Sequence, residues 1–236
     1  MITQPFVIFS LIAALSFGLS QIANKFSSKH TISDPWILLF YQELCFLPFL
    51  FIYPILFKVG FPRDGIEYVL LYAVAFFTGN IFFTRAIYKL DISSIAPFFQ
   101  LQTALIAIMA FIFLKERFPV NNYLYVTIMI IGSILVAIDE KMSIKSYFKI
   151  GILLIIMQQI LHASSNIFAG FGLKEMNQFT FLFWGDLLSA LMVLILIPMM
   201  GISKFKVNFT QIKPLLIGGF FSTVGATSLF TAFQTN

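Results

Sequence analysis

Residues 68–88 read YVLLYAVAFFTGNIFFTRAIY, an apolar run in which Arg85 is the only charged side chain. At the rise of an α-helix, a run of this length extends over about 30 Å, which matches the hydrocarbon core of a bilayer. Seven other apolar runs of similar length follow one another along the chain: 5–24, 36–57, 92–114, 120–138, 148–169, 179–200 and 214–234. The pattern predicts eight membrane-spanning helices joined by short, more polar connections.

The composition of the whole chain excludes most soluble classes of protein. Of its 236 residues, 59% are hydrophobic and only 11% are charged, whereas soluble domains carry about a quarter charged residues. A soluble fold of this size has too few charged side chains to cover so much apolar surface. The net charge of +5 is scattered between the runs, which argues against nucleic-acid binding. The sequence therefore predicts an all-α polytopic membrane protein, with the lipid bilayer as its partner.

Motifs of catalytic and metal-binding sites are missing from the sequence. It contains no His-Glu-x-x-His, no Gly-x-Ser-x-Gly and no Walker loop, which are the patterns of common hydrolase and nucleotide sites. Cys45 is the only cysteine, so neither a disulfide nor a cysteine-based metal site can form within one chain. We therefore expect no enzyme activity, no cofactor and no bound metal.

The chain also repeats itself at a nearly fixed offset. A shift of 146 residues places three polar positions of the first run on the sixth run, since Ser16, Ser20 and Asn24 fall on His162, Asn166 and Gly170. In the second run, a shift of 143 residues places Glu43 on Asp186. The repeat divides the chain into a first unit of five helices, 1–143, and a second unit of three helices, 144–236.

An odd number of helices in a unit turns the two units in opposite directions across the membrane. Inverted repeats of this kind are typical of secondary transporters, which bind their substrate near the midplane between the halves. The comparison of the two units predicts a five-plus-five arrangement of which this chain holds five plus three helices, without the last two.

The fourth run carries SSIA at 93–96 and leaves the membrane through LKERF at 114–118. The third run ends in TRAIY at 84–88, and Lys25 ends the first run. With these motifs the chain resembles the EamA-type members of the drug/metabolite transporter (DMT) superfamily. It departs from that pattern at Thr103, where the family usually has a proline that kinks the helix.

The resemblance implies a secondary transporter of small metabolites that works by alternating access, with amino-acid or drug efflux as candidate activities. It also implies a multi-pass protein of the bacterial inner membrane. In such proteins helices one, three, four and six line the central cavity, and the second helix of each half lies at the periphery. The missing helices leave two alternatives open. The chain is either a truncated or degenerate membrane protein without transport activity, or a homodimer whose second copy closes the cavity.

Polar side chains form stripes at helical spacing within four of the runs. Their spacing of three or four residues places each set on one face of its helix. The predicted substrate-binding residues are Ser16, Ser20, Asn24, Asn80, Thr84, Gln100, Thr103, Gln158, His162, Ser165 and Asn166. The alternative is that these side chains hydrogen-bond across helices, at about 0.6 kcal/mol each. For the set as a whole, a polar-lined path is the favoured interpretation.

Two acidic residues lie well inside apolar runs. Glu43 and Asp186 occupy corresponding positions in the two units, and charged groups are unfavourable in hydrocarbon unless they face protein or water. Their pairing is consistent with a role in proton or cation coupling. It is equally consistent with a structural role, in which each acid bonds to a neighbouring helix.

Overall fold

The computed structural model describes residues 4–91, 95–115, 117, 119–137, 150–199 and 207–235, and every regular element in these ranges is helical. We number its α-helices along the chain as α1 Pro5–His30, α2 Pro35–Leu50, α3 Ile52–Leu56, α4 Ile66–Ile87, α5 Phe99–Met109, α6 Val120–Ala137, α7 Ile150–Glu175, α8 Gln178–Met192 and α9 Phe209–Thr235. Three tighter or wider helical turns adjoin them, at Ala96–Phe98 before α5, Ala110–Leu114 after α5 and Val193–Met199 after α8.

Six helical segments of the described chain are long and apolar enough to cross a bilayer: Pro5–His30, Pro35–Leu56, Ile66–Ile87, Ile150–Glu175, Gln178–Ile195 and Phe209–Phe233. Two shorter apolar helices, Phe99–Leu114 and Val120–Gly132, stand at the fourth and fifth predicted runs. The all-α polytopic membrane fold is therefore confirmed, with a helix at each predicted position. That the two shorter helices also cross the membrane stays a prediction.

Some features of the predicted pattern lie outside the described residues. They include the boundary between the two units near residue 143 and several motif positions: Ser93, Ser94, Glu116 and Phe118. Among the described helices, α1 and α9 extend past the apolar runs that predicted them, to His30 and back to Phe209. Hydropathy marks only the part of a helix inside hydrocarbon, so polar turns at the membrane surface are missed.

Local chemistry sets both ends of α2. The helix begins after Asp34, whose carboxylate accepts a hydrogen bond of 2.8 Å from the backbone N–H of Trp36, and Pro35 occupies the first turn, where no N–H is needed. The helix ends at Leu50. Four residues later, Pro54 has no N–H to donate to the Leu50 carbonyl, so the chain bends before continuing as α3.

The bundle is organised around two long helix pairs. The most extensive contacts join α1 to α9 and α4 to α7, while α2 packs against α9, α4 and α8. At the crossing of α2 and α9, a Cβ atom added to Gly219 would lie 2.8 Å from the backbone oxygen of Cys45. The two backbones therefore touch, as small residues allow in membrane helix packing.

The second helix of each predicted half is central in the bundle, contrary to the expectation drawn from the resemblance. Leu38 and Leu39 of α2 are fully buried, as are Phe181 and Leu182 of α8. The two helices contact each other, and both contact α4. The expectation was wrong because it placed these helices from an analogy with other proteins rather than from their own side chains, which are apolar on several faces.

Basic residues near one end of the bundle act as anchors between helices. The ammonium group of Lys25 on α1 donates to the backbone oxygens of Ile87 and Leu90, at 2.5 and 2.8 Å. A cation at this position neutralises the partial negative charge of the carboxyl end of α4. Nearby, the guanidinium of Arg85 lies 4.4 Å from the ring centre of Trp36. Arg85 is thus held by a cation–π contact at a helix end.

Candidate functional site

The polar face of α4 is the centre of the candidate site. Asn80 is 7% exposed, and its side-chain amide donates a hydrogen bond of 3.0 Å to the Glu43 carboxylate on α2. Glu43 is itself 5% exposed. The two residues were predicted separately, as a substrate-binding amide and as a coupling or structural acid, and the structure brings them together.

The second buried acid is also held by α4. The hydroxyl of Tyr72 donates a hydrogen bond of 2.9 Å to the Asp186 carboxylate on α8, and both groups are buried. The ring of Tyr72 fits there because its neighbour on α8 is Gly185, where a Cβ atom would lie 2.7 Å from the ring. Both predicted acids thus receive a hydrogen bond from one helix, although they belong to different predicted units.

His162 on α7 packs into the face of α4 between these two positions. Its ring stacks on Phe76, with ring centres 4.9 Å apart and planes 15° apart. A Cβ atom at Gly79 would overlap the His162 ring, so this glycine is what allows the imidazole to lie against the α4 backbone. Phe76 and Gly79 of α4 thus face α7, whereas Asn80 faces α2, so Asn80 and His162, two predicted site residues, lie on different faces of α4.

A short chain of side-chain hydrogen bonds runs along α7. The amide of Gln159 donates to the side-chain oxygen of Gln158 at 2.7 Å, and the Gln158 nitrogen lies 3.0 Å from Nδ1 of His162. Gln158 is 2% exposed and Gln159 fully buried. The Gln158 nitrogen can only donate, so His162 accepts at Nδ1 and carries its proton on Nε2 when neutral.

Two other predicted residues of α7 bond to their own helix. The Ser165 hydroxyl and the Asn166 amide both donate to the backbone oxygen of His162, at 2.8 and 2.7 Å. Such bonds are the usual way in which small polar side chains are satisfied within a membrane helix. Asn166 is half-buried and Ser165 is buried. These bonds lie within α7 and do not cross between helices, but they satisfy both side chains without a solute.

The predicted stripe of α1 lies away from α4 and α7. Ser16, Ser20 and Asn24 are each at most 5% exposed, on the side of α1 that faces α9. A Cβ atom at Gly218 of α9 would stand 3.5 Å from the Asn24 side-chain oxygen, which is ordinary contact. The stripe is thus buried at the α1–α9 contact, whereas the corresponding residues His162 and Asn166 of α7 are only half-buried.

The residues predicted on the fourth run are the least enclosed members of the set. Thr103 of α5 is exposed and Gln100 is half-buried, whereas Ala104 is the buried residue of that helix. The structure therefore does not gather Thr103 with the other candidates. Thr84 on α4, by contrast, is 1% exposed, and its hydroxyl has no hydrogen-bond partner in the described chain.

Several polar residues of the site were not predicted from the sequence. Tyr72 was passed over as one aromatic among many, although it stands eight residues before Asn80 and hence on the same side of α4. Ser189 lies one turn after Asp186, is 1% exposed and has no partner among the described residues. A third pair joins α3 to α9, where the Tyr53 and Thr227 hydroxyls are 2.7 Å apart.

The described residues of the site do not form a metal-binding cluster. Among the described residues, no three His, Cys, Asp or Glu side chains come close enough to hold a metal ion. What α4 assembles instead is a set of neutral amides and hydroxyls beside two carboxyls, within a bundle of apolar helices. Such a surface can bind polar groups of a solute by hydrogen bonds, and it can hold protons.

Comparison with protein families agrees with this architecture. No curated protein matches the chain. A family model, that of the EamA-like transporter family, matches residues 4–138, which is more than half of the chain and covers α1 to α6. A family of transporters accords with the prediction that the chain is not an enzyme, and the six bilayer-length helices accord with an integral membrane protein. The chain therefore belongs to the EamA-like transporter family, whose members are membrane transporters of small molecules.

Proposed function

We propose that this protein is a secondary transporter that moves small polar metabolites, amino acids among them, across the membrane by alternating access. The observation that carries the proposal is the polar cluster around α4, where Asn80 bonds to Glu43 of α2 and His162 of α7 packs on Gly79. Polar side chains inside a membrane bundle are retained where they line a route or bind a solute. The bacterial inner membrane is the proposed location.

The helix boundaries support the proposed inverted repeat of residues 1–143 and 144–236. A shift of 146 residues carries α1 to 151–176 and α4 to 212–233, close to the observed α7 and α9. A shift of 143 residues carries α2 to 178–193, close to the observed α8. Helices that correspond in sequence thus begin and end at corresponding residues.

The packing is also what a two-fold relation between the units predicts. Exchanging the units turns the contact of α1 with α9 into that of α7 with α4, and both are the most extensive in the bundle. It turns the contact of α2 with α9 into that of α8 with α4, and both are present. The contact of α2 with α8 maps onto itself. In this arrangement the units rock against each other, which is the motion that alternating access requires.

We further propose that a second copy of the chain covers the outer face of α1 in a homodimer. The exchange of units relates α1 to α7, and α7 is covered by α5. The corresponding face of α1 exposes apolar side chains, and an apolar groove of about 500 Å³ opens beside it, lined by Leu19, Ile22, Phe26, Pro214, Ile217 and Phe221. Cysteine at Leu15, which is 70% exposed, should give a disulfide-linked dimer in membranes. Only monomer at that position would exclude this interface.

Counterflow in proteoliposomes tests the transport proposal. The purified protein is reconstituted, and the vesicles are loaded with one unlabelled amino acid at a time. Uptake of the same amino acid in labelled form is then measured. Ethidium serves as the drug-like probe. We expect transient uptake of at least one probe, above empty vesicles. The His162→Ala variant should reduce it, while Asn166→Ala, which breaks a bond within its own helix, should reduce it less. Correctly folded protein that moves none of the probes would favour the degenerate, non-transporting alternative.

A further inference from the structure

Glu43 and Asp186 differ from the solvent-exposed acids of the described chain in their burial and in their uncharged hydrogen-bond donors. Each is at least 95% buried and receives a hydrogen bond from an uncharged donor, the Asn80 amide in one case and the Tyr72 hydroxyl in the other. In the described part of the chain, neither carboxyl is paired with a Lys or Arg side chain. Both are therefore acids in an apolar bundle without a compensating cation.

An ionised carboxylate is strongly disfavoured in such surroundings, since a single neutral donor offsets only part of its lost hydration. The protonated acid has no such penalty, and it can still accept the same hydrogen bond. A buried acid of this kind holds a proton while the bundle around it is closed. It becomes a stable anion only when a movement of the helices admits water.

The two sites stand on opposite sides of the middle of α4. Tyr72 and Asn80 are eight residues apart, or about 12 Å along the helix axis, and the helix runs from Ile66 to Ile87. Phe76 lies between them, at the centre of the helix. Its ring stacks on Tyr72, with ring centres 5.5 Å apart, and on His162. Phe76 therefore lies between the two donors, Tyr72 and Asn80, along α4.

A second, independent feature marks both sites as places that accept a further ligand. Thr84 follows Asn80 by four residues on α4, and Ser189 follows Asp186 by three residues on α8. Each hydroxyl is 99% buried and has no hydrogen-bond partner among the described residues. Helical side chains lean towards the amino end of their helix, so each hydroxyl leans towards the neighbouring site. An unused hydroxyl beside each acid can bind the water that delivers or removes a proton.

The other titratable groups near the acids are few. Tyr53 of α3 is bonded to Thr227, Cys45 lies two residues after Glu43 on α2, and His162 of α7 stacks on Phe76. The helix α9 presents hydroxyls to this region.

We propose that Glu43 and Asp186, on the contacting helices α2 and α8, are a pair of proton-binding sites that couple solute movement to the proton gradient. The inference rests on the proposed transport function. The carboxylates take up protons when the bundle opens to the side of higher proton concentration, hold them while the bundle is closed, and release them to water when the bundle opens to the other side. The α4 helix supplies a hydrogen-bond donor to both acids, so a tilt of this one helix changes both sites at once. The solute and the protons exchange across the membrane in opposite directions.

Carbodiimide labelling tests the proton sites without any transport substrate. Dicyclohexylcarbodiimide reacts with protonated carboxyls in apolar surroundings, and peptide mass spectrometry locates the adduct. In reconstituted wild-type protein we expect adducts on Glu43 and Asp186 at mildly acidic pH and a progressive loss of both as the pH is raised. Glu43→Gln and Asp186→Asn should each lose one adduct. The exposed Glu67 provides the matched control, and Glu67→Gln should leave the pattern unchanged.

Absence of both adducts at acidic pH, or labelling that does not change with pH, would overturn the proposal, because the acids would then be ionised or permanently protonated. The labelling result is measured on peptides of the wild-type protein, so it holds even if a variant fails to fold.

A second experiment separates this proposal from the transport proposal. With a probe that shows counterflow, Glu43→Gln and Asp186→Asn should retain exchange at zero pH gradient but lose accumulation driven by an imposed gradient. Gradient-driven accumulation that survives in both variants would refute proton coupling and leave transport intact. Failure of counterflow in the wild type would refute transport, while the labelling result would still decide whether the two acids bind protons.

Discussion

The side-chain amide of Asn80 on α4 donates a hydrogen bond of 3.0 Å to the carboxylate of Glu43 on α2, and both residues are buried. On the same helix, eight residues earlier, Tyr72 donates to Asp186. One helix therefore ties together α2 and α8, which correspond to each other in the two proposed units. The hydrogen bonds themselves do not follow that correspondence, since the residue equivalent to Asn80 on α9 is Ala226. The polar centre of the bundle is asymmetric although its helices pair symmetrically.

Removal of the Asn80 amide should destabilise the bundle. In Asn80→Ala, the buried Glu43 side chain loses its donor, and an unsatisfied buried polar group costs about 1–3 kcal/mol. We expect a lower midpoint of thermal unfolding in detergent, measured by the loss of monodisperse protein. Asn121→Ala, which truncates an exposed asparagine at the start of α6, is the matched control. Equal midpoints for the two variants would show that the Asn80–Glu43 bond contributes little.

Two adjacent glycines on α9 should respond differently to the same substitution. At Gly219 a Cβ atom would lie 2.8 Å from the backbone oxygen of Cys45, and backbone cannot move aside as a flexible side chain can. At Gly218 the nearest atom would be 3.4 Å away, an ordinary contact. Gly219→Ala should therefore lose about 1–3 kcal/mol through overpacking, and Gly218→Ala should be nearly neutral. The reverse order in thermal unfolding would mean that α2 and α9 do not approach as described.

A third comparison concerns the contact between α4 and α7. A methyl group at Gly79 would overlap the His162 ring, so Gly79→Ala must displace the imidazole or separate the helices. Gly18→Ala on α1 meets no atom within 4 Å and should be neutral or slightly stabilising, since alanine favours helix more than glycine does. We expect Gly79→Ala alone to reduce counterflow. Full activity in both variants would remove the α4–α7 surface from the route of the solute.

Lys25 should stabilise the carboxyl end of α4. In Lys25→Met, the backbone oxygens of Ile87 and Leu90 lose a charged donor, and we expect a loss of about 1 kcal/mol because the site is partly open to solvent. Lys29→Met on the next turn of α1, where the side chain is exposed, provides the comparison. The thermal midpoint should fall only for Lys25→Met, and an equal fall in both would attribute the effect to lost charge rather than to the cap.

Hydrophobic run length was sufficient to predict the fold class, because a bilayer fixes the length of the helices that cross it. It placed a helix at each of eight positions. Run length could not predict which helices pack together. The central position of α2 and α8 follows from close contacts at Gly185 and Gly219, and sequence alone does not show which neighbour a glycine admits.

The candidate site was predicted in part for a related reason. Helical spacing found Asn80, Thr84 and His162 because polar residues are rare in such runs. It did not find Tyr72, since the chain has 31 Phe and 8 Tyr and one aromatic residue does not stand out among them. Nor could spacing distinguish Asn166, which bonds to its own helix, from Asn80, which bonds to another. That distinction depends on what lies opposite each side chain in the folded bundle.

Water access to the α4–α7 surface in the membrane is the most direct test of the proposed solute route. Single cysteines are placed at Asn80, Thr84 and Ser165, and at the exposed apolar positions Leu71 and Val74, in a Cys45→Ala background. The reconstituted protein is then treated with a small polar thiol reagent. We predict labelling at the three polar positions, at rates that change when a transported probe is added, and none at Leu71 or Val74. Equal labelling of the polar and apolar positions would contradict a solute route along this face. So would a lack of labelling at all three polar positions under every condition.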